Sequence, residues 1–232
     1  MFIPFFDPAY LLFVLPAFVL GSIATILLNH WTKKYSDEKI INNYIGTEVI
    51  HKVSQNFNLK LSISIVDQML ASSYDPSSKT LNISNDIAHS STISGTGILA
   101  HELGHAIQHQ NGHSLARIRS AIYPVVNIGT NIGYLLLIAG IILNFGALSW
   151  AGLILFSLTT IYILITLPIE IDASYRANKL LTELKICYPK ELPKIDKVLF
   201  AAALTYVAGL FQSLGQLLYF FFQIKGSASR ED

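Results

Sequence analysis

Residues 95–113 read GTGILAHELGHAIQHQNGH, with His101, His105, His109 and His113 each four residues after the last. The first two frame the pattern H-E-x-x-H, as His101-Glu102-Leu103-Gly104-His105. On a helix, residues four apart share a face, so both imidazoles reach one ion while Glu102 lies beside them. With seven His and seven Glu in 232 residues, chance yields such a match in roughly 0.6% of chains of this composition. A helix that merely carries surface histidines is therefore the weaker reading. Each further four-residue step rotates about 40° around the helix, which takes His109 and His113 off the ligand face. Both are expected to be solvated. The longer pattern H-E-x-x-H-x-x-G-x-x-H is excluded, because Gln108 and Asn111 stand where it needs Gly and His. His30, His51 and His89 receive no role. The helix is predicted from near Thr96 to Asn111, with Gly112 as its stop.

This stretch lies in the one sizeable polar part of an apolar chain. Only 13% of residues are charged, 52% are hydrophobic and the mean hydropathy is +0.47, whereas soluble domains carry about a quarter charged. Four uncharged runs, 9–28, 121–143, 148–169 and 198–224, each reach the roughly 20 residues that cross a bilayer as a helix. The stretch before the first, MFIPFFDP, has none of the basic residues of a signal peptide and carries Asp7, so that run reads as an uncleaved anchor. GTNIG, residues 129–133, suits close helix packing in lipid, and Asn127 and Asn131 are assigned to the same packing. Gln212, Ser213 and Gln216 interrupt the fourth run.

Basic residues set the expected orientation. Residues 1–8 and 144–147 have none, while 29–120 has eight and 170–197 has six. The positive-inside rule puts the two basic stretches in the cytoplasm. The expected organisation is an anchor at 1–29, a cytoplasmic domain at 30–120, a transmembrane hairpin at 121–169, a cytoplasmic segment at 170–197 and a hydrophobic helix with its tail at 198–232. A formal net charge of +1 predicts no nucleic-acid partner. The single Cys187 excludes an intramolecular disulfide and a cysteine zinc site.

Within the polar domain, Ile40, Ile41, Tyr44, Ile45, Val49 and Val53 space out as one helical face over 36–57. LKLSISIV, 59–66, alternates as a half-buried strand, whose edge would hold an extended substrate. SSYDPSSK, 72–79, reads as a turn, with Asp75 capping it, and TLNIS, 80–84, as the return strand.

A catalytic zinc normally has three protein ligands and one open position. LPIEIDASYRANKLL, 167–181, offers Glu170 and Asp172 at the cytoplasmic end of the third span, where Pro168 can kink the helix. The competing reading pairs an interfacial acid with Arg176 or Lys179. On a regular helix the two carboxylates are about 200° apart, so only one faces an ion.

YDPSSKTLNIS, then HELGHAIQ, then LPIEIDAS, in that order on a chain with one leading and three trailing spans, resembles the YugP-like zinc metallopeptidases of bacterial membranes. Ser72-Ser73 depart from the Asp-His that often precedes Tyr-Asp-Pro there. The resemblance implies His101 and His105 as zinc ligands, Glu102 as the catalytic residue and Glu170 as the third ligand.

The expectation is thus a mostly α membrane protein of about four transmembrane helices with a cytoplasmic zincin-like α+β metallopeptidase domain. It would sit multi-pass in a bacterial plasma membrane, hold one catalytic Zn2+ on the cytoplasmic side, and cut protein or peptide substrates at the bilayer. Glu102 would take the proton of the attacking water. Asp172 and Ser174 would orient a ligand histidine, and Tyr74 and Tyr206 are candidates to contact the oxyanion or substrate. Two alternatives stand beside this: a zinc-binding membrane scaffold that cuts nothing, which would have no need of Glu102, and a transporter, which usually buries charge in its spans.

Overall fold

A backbone that crosses an apolar medium must satisfy its polar groups internally, and a helix does this within one segment. The uncharged runs are helical, apart from Leu143 at the end of the second, in the computed structural model, which describes residues 8–67 and 72–228. They lie in α1 (Pro8–Lys34), α5 (Ser114–Ile142), α6 (Gly146–Glu183) and α7 (Leu192–Ala228), each long and apolar enough to cross a membrane. The helices run well beyond the runs themselves. α6 continues to Glu183 and α7 begins at Leu192, so most of the segment expected between the last two spans is helix.

The chain divides into two units. One takes Met1–Ala24, Ile118–Leu167 and Leu204–Asp232; the other takes Thr25–Arg117 and Pro168–Ala203. In the first, Tyr10, Leu137, Leu153, Tyr219 and Phe220 form an apolar core, with the Tyr10 and Tyr219 rings edge to face at 5.0 Å. The GTNIG glycines act as their spacing suggested. A Cβ on Gly133 would stand 2.6 Å from the Phe156 nitrogen, so only a glycine lets α5 approach α6 this closely. Asn131 instead bonds back to the Asn127 carbonyl of its own helix at 2.8 Å.

The second unit holds the polar domain. Its remaining elements are α2 (Gly46–Phe57), β1 (Ser62–Val66), β2 (Ser73–Asp75), β3 (Thr80–Ser84), α3 (Asn85–His89) and α4 (Ile93–Gln110). Val49, Val53, Leu81, Ile83, Leu99, Leu103, Leu180 and Ile195 are among the residues of its core. α4 starts three residues before its predicted position, where the Thr92 hydroxyl caps the Gly95 N–H at 3.2 Å. It ends as predicted, with Gly112 at φ +64° just beyond it.

Three local expectations change. The helix expected over 36–57 begins only at Gly46. Lys39 pairs with Thr92 as an isolated bridge and Asn43 sits at φ 52°, so residues 36–45 cross the domain as an irregular strap. Ile40 is buried in it while Ile41 points out, 50% exposed. The return-strand expectation changes too. β3 runs parallel to β1, and its antiparallel partner is β2, taken from the stretch read as a turn. Only the residues between Asp75 and Thr80 turn. Asp75 accepts from the Ser77 N–H at 2.9 Å and the Ser78 hydroxyl at 2.6 Å, and these bonds hold its carboxyl down at about 2. The sheet order is β1-β3-β2. Ile63 and Ile65 pair with the fully buried Leu81 and Ile83, yet each is 50% exposed, because β1 is an edge strand.

Candidate metal centre

α4 and α6 meet at Gly104 and Ala173. A Cβ on Gly104 would stand 2.5 Å from the Ala173 carbonyl oxygen, so the two backbones touch at the second x of the H-E-x-x-H pattern and leave room for glycine alone. The contact turns one face of each helix onto the other. From α4, His101 and His105 present their rings edge to face at 4.8 Å. From α6, Glu170 places Oε2 3.2 Å from His101 Nε2 and 3.4 Å from His105 Nε2. One donor atom from each of these three lies within 4.8 Å of the others, and Glu170 is only 3% exposed. Two imidazoles and a carboxylate converging through Nε2, Nε2 and an oxygen fit zinc in donor type and number, with a position left open.

The far sides of both rings are held. Ser174, one turn beyond Glu170, lies 3.1 Å from His101 Nδ1. Gln108 lies 2.9 Å from His105 Nδ1 and donates its amide hydrogens to the Ile169 carbonyl at 2.8 Å and to Asp172 Oδ2 at 2.7 Å. Asp172 also takes the Arg176 Nε–H at 2.6 Å and sits 3.8 Å from His113 Nε2. Of the two acids considered, Glu170 therefore faces both histidines and Asp172 reaches His105 through Gln108.

Glu102 stands between the two histidines. Its Oε2 accepts the Tyr74 N–H at 2.8 Å, a contact that ties β2 to α4. The strand beside this carboxylate is thus β2, at the opposite edge of the sheet from the 59–66 stretch expected to hold substrate. Burial pushes the Glu102 carboxyl above the usual carboxylate range, against the pull of the two neighbouring imidazoles and the Tyr74 N–H. A raised carboxyl is a better base near neutrality. For His105, burial works downward but is outweighed by the hydrogen bond and charge of Glu170, with Glu102 adding to it, so its pKa is raised.

His109 and His113 are not simply solvated. The Tyr74 hydroxyl pairs with His109 Nδ1 at 2.8 Å, and His113 faces Asp172. Burial, then the charge of Asp75, raises the Tyr74 hydroxyl. Tyr206 lies on α7 in the first unit. Sequence reasoning missed Gln108, whose signal was its place three residues after His105 on the same helix. It also missed the Tyr74 N–H, a backbone group with no side-chain signature.

This is the donor chemistry of a zinc peptidase, on a chain with four candidate membrane spans. The profile of the family described as "Putative neutral zinc metallopeptidase" matches residues 10–225, and the chain belongs to that family. Among curated proteins, the "Putative membrane protease YugP" of Bacillus subtilis (strain 168) is 33% identical over 212 residues, which cover 88% of this chain and 94% of that protein. No solved structure matches.

Proposed function

We propose that this chain is a membrane-embedded, zinc-dependent endopeptidase whose ion is held by His101, His105 and Glu170. The observation that carries the reading is the convergence of those three donor groups within 4.8 Å, with a partner already on each outer imidazole nitrogen. Zinc in such a set supplies a Lewis acid and lowers the pKa of water at its open position to about 7. Glu102 takes the proton of the attacking water and passes it to the leaving amine. The N–H of Tyr74 holds that carboxylate in place while it does so. An extended peptide laid along the edge of β2 would run past Glu102, with main-chain pairing supplying the grip.

The domain is zincin-like in its logic: a metal helix and a short sheet whose edge strand lies beside the base. Substrates are membrane proteins or membrane-proximal tails, and the site works on the cytoplasmic side. The chain order supports this. About ten residues separate Asn111 from the second uncharged run, Glu170 directly follows the third, and fourteen of the sixteen basic residues flank the spans on one side.

The test uses the full chain purified in detergent. Zinc content and hydrolysis of a generic peptide are measured for the wild type and for Glu102→Gln. The variant should keep its zinc and lose about 10²–10⁴-fold in rate, the usual contribution of a general base. Near-normal hydrolysis by the variant would remove Glu102 from this role. A wild type that binds zinc and cuts nothing would favour the scaffold reading. Thiol labelling at introduced cysteines near residue 80 and within 144–147 reads the orientation in intact cells, and labelling of the first from outside would reverse it.

A further inference from the structure

The Gln108 side chain has three polar contacts and no freedom to exchange them. It is 1% exposed. At its nitrogen end stand the Ile169 carbonyl at 2.8 Å and the Asp172 carboxylate at 2.7 Å, both acceptors. An amide turned the other way would set its oxygen against two oxygens, so the NH2 must face them. The amide oxygen then faces His105 Nδ1 at 2.9 Å, and an amide oxygen only accepts. Nδ1 must therefore carry a proton, which leaves the lone pair of the neutral ring on Nε2, the atom 3.4 Å from Glu170 Oε2. His101 has no such constraint. Its Nδ1 faces the Ser174 hydroxyl, which can donate or accept.

We propose that Gln108 is a positioning residue for the metal centre: it locks His105 into the Nδ1–H form, with Nε2 aimed at the ion, and relays the anchoring of Asp172 to that ring. The inference rests on the reading of His101, His105 and Glu170 as the ligand set. It also assigns Asp172 a place in the site through the Gln108 amide. Asp172 fixes the orientation of the amide, and Arg176 at 2.6 Å fixes Asp172. Ligand histidines commonly donate their second N–H to an orienting acceptor, and losing that acceptor typically costs about 10–100-fold in metal affinity.

The experiment compares zinc affinity, by competition with a chelator, for the wild type, Gln108→Met, Gln108→Glu and Glu170→Ala. Nitrogen-15 histidine spectra of the metal-free wild type, taken at a pH where the ring of His105 is neutral, then show which of its nitrogens is protonated when no ion fixes the choice. The expected spectrum has the proton on Nδ1. Gln108→Met keeps the side-chain length and removes the acceptor, and should bind zinc about 10–100-fold more weakly. Gln108→Glu still offers Nδ1–H an oxygen but sets its second oxygen against the Ile169 carbonyl and the Asp172 carboxylate, so it too should bind zinc more weakly than the wild type. Wild-type affinity in Gln108→Met overturns the proposal, and so does a wild-type spectrum with the proton on Nε2. Thermal unfolding of the metal-free proteins shows whether Gln108→Met is folded; if it is not, the wild-type spectrum decides alone. A wild type without bound zinc, or a Glu170→Ala variant with unchanged affinity, defeats the ligand set itself and the proposal with it. That failure appears before any Gln108 variant is made.

Discussion

Gly104→Ala should damage the proposed metal centre without touching any of its polar groups. The added Cβ would lie 2.5 Å from the Ala173 carbonyl oxygen, 3.2 Å from its carbon and 3.3 Å from its Cα. An ordinary contact between carbon and a carbonyl oxygen is about 3.3–3.6 Å, so the shortfall is close to 1 Å. The obstacle is backbone, so no side-chain rotation relieves it. α4 and α6 must separate or tilt. The donor atoms of His101, His105 and Glu170 straddle this contact, and a metal site tolerates errors of only about 0.2 Å in its ligand distances. The displacement is several times that. The expected outcome is a loss of zinc affinity at least as large as the roughly 10–100-fold of a lost orienting partner. Overpacking should add a stability cost of about 1–3 kcal/mol in the metal-free protein. Chelator competition reads the first and thermal unfolding in detergent the second. Adding Ala173→Gly should not rescue the variant, because the clash is with a carbonyl. Gly209→Ala on α7 is the control, since nothing among the described residues crowds a Cβ there within 4 Å. Wild-type zinc affinity in Gly104→Ala would refute the argument that this backbone contact sets the ligand geometry.

Glu170→Ala should reduce zinc affinity more than Asp172→Ala, which should cost about 10–100-fold or less, as for a group one step removed from the metal; the reverse order would move the ligand to Asp172. Zinc binding should weaken on acidification earlier than an ordinary histidine site does. The His105 pKa in the metal-free protein is raised above 6.5, burial being outweighed by Glu170, and the ion competes with that proton, so affinity is full above the raised pKa and lost as pH falls through it. A titration whose loss begins only well below 6.5 contradicts this. Cys187 should resist alkylation in the folded protein at pH 8 and react on denaturation, because burial, with the charge of Glu191, pushes its thiol up to about 12. Rapid stoichiometric labelling of the folded chain would show that the thiol is open.

Local periodicity made much of this protein legible. Uncharged runs of about 20 residues can only be helices in an apolar medium, and all four are helical. His101 and His105 share a face because four residues make slightly more than one helical turn. Gly112 ends α4 because glycine enters the left-handed region without cost. These properties depend on neighbours along the chain, and one sequence displays them all.

What the tertiary structure decided depends on partners distant along the chain. Residues 36–45 have helical spacing, yet the pairing of Lys39 with Thr92 draws them out of a helix. The strand read at 59–66 is an edge, as expected, but its parallel pairing with β3 and the place of β2 on the other side of β3 are fixed by partners distant along the chain. Glu170 and Asp172 are alike in type and two residues apart. Which of them meets the histidines depends on how α6 is rotated about its axis, and the close contact of Gly104 with Ala173 sets that rotation. The Tyr74 N–H on Glu102 and the amide of Gln108 between His105 and Asp172 arise only once β2, α4 and α6 are packed together. A helix propensity or a motif is summed over adjacent residues, whereas the Ser174 hydroxyl beside His101 and the Asp172 carboxylate that turns the Gln108 amide are both supplied by α6.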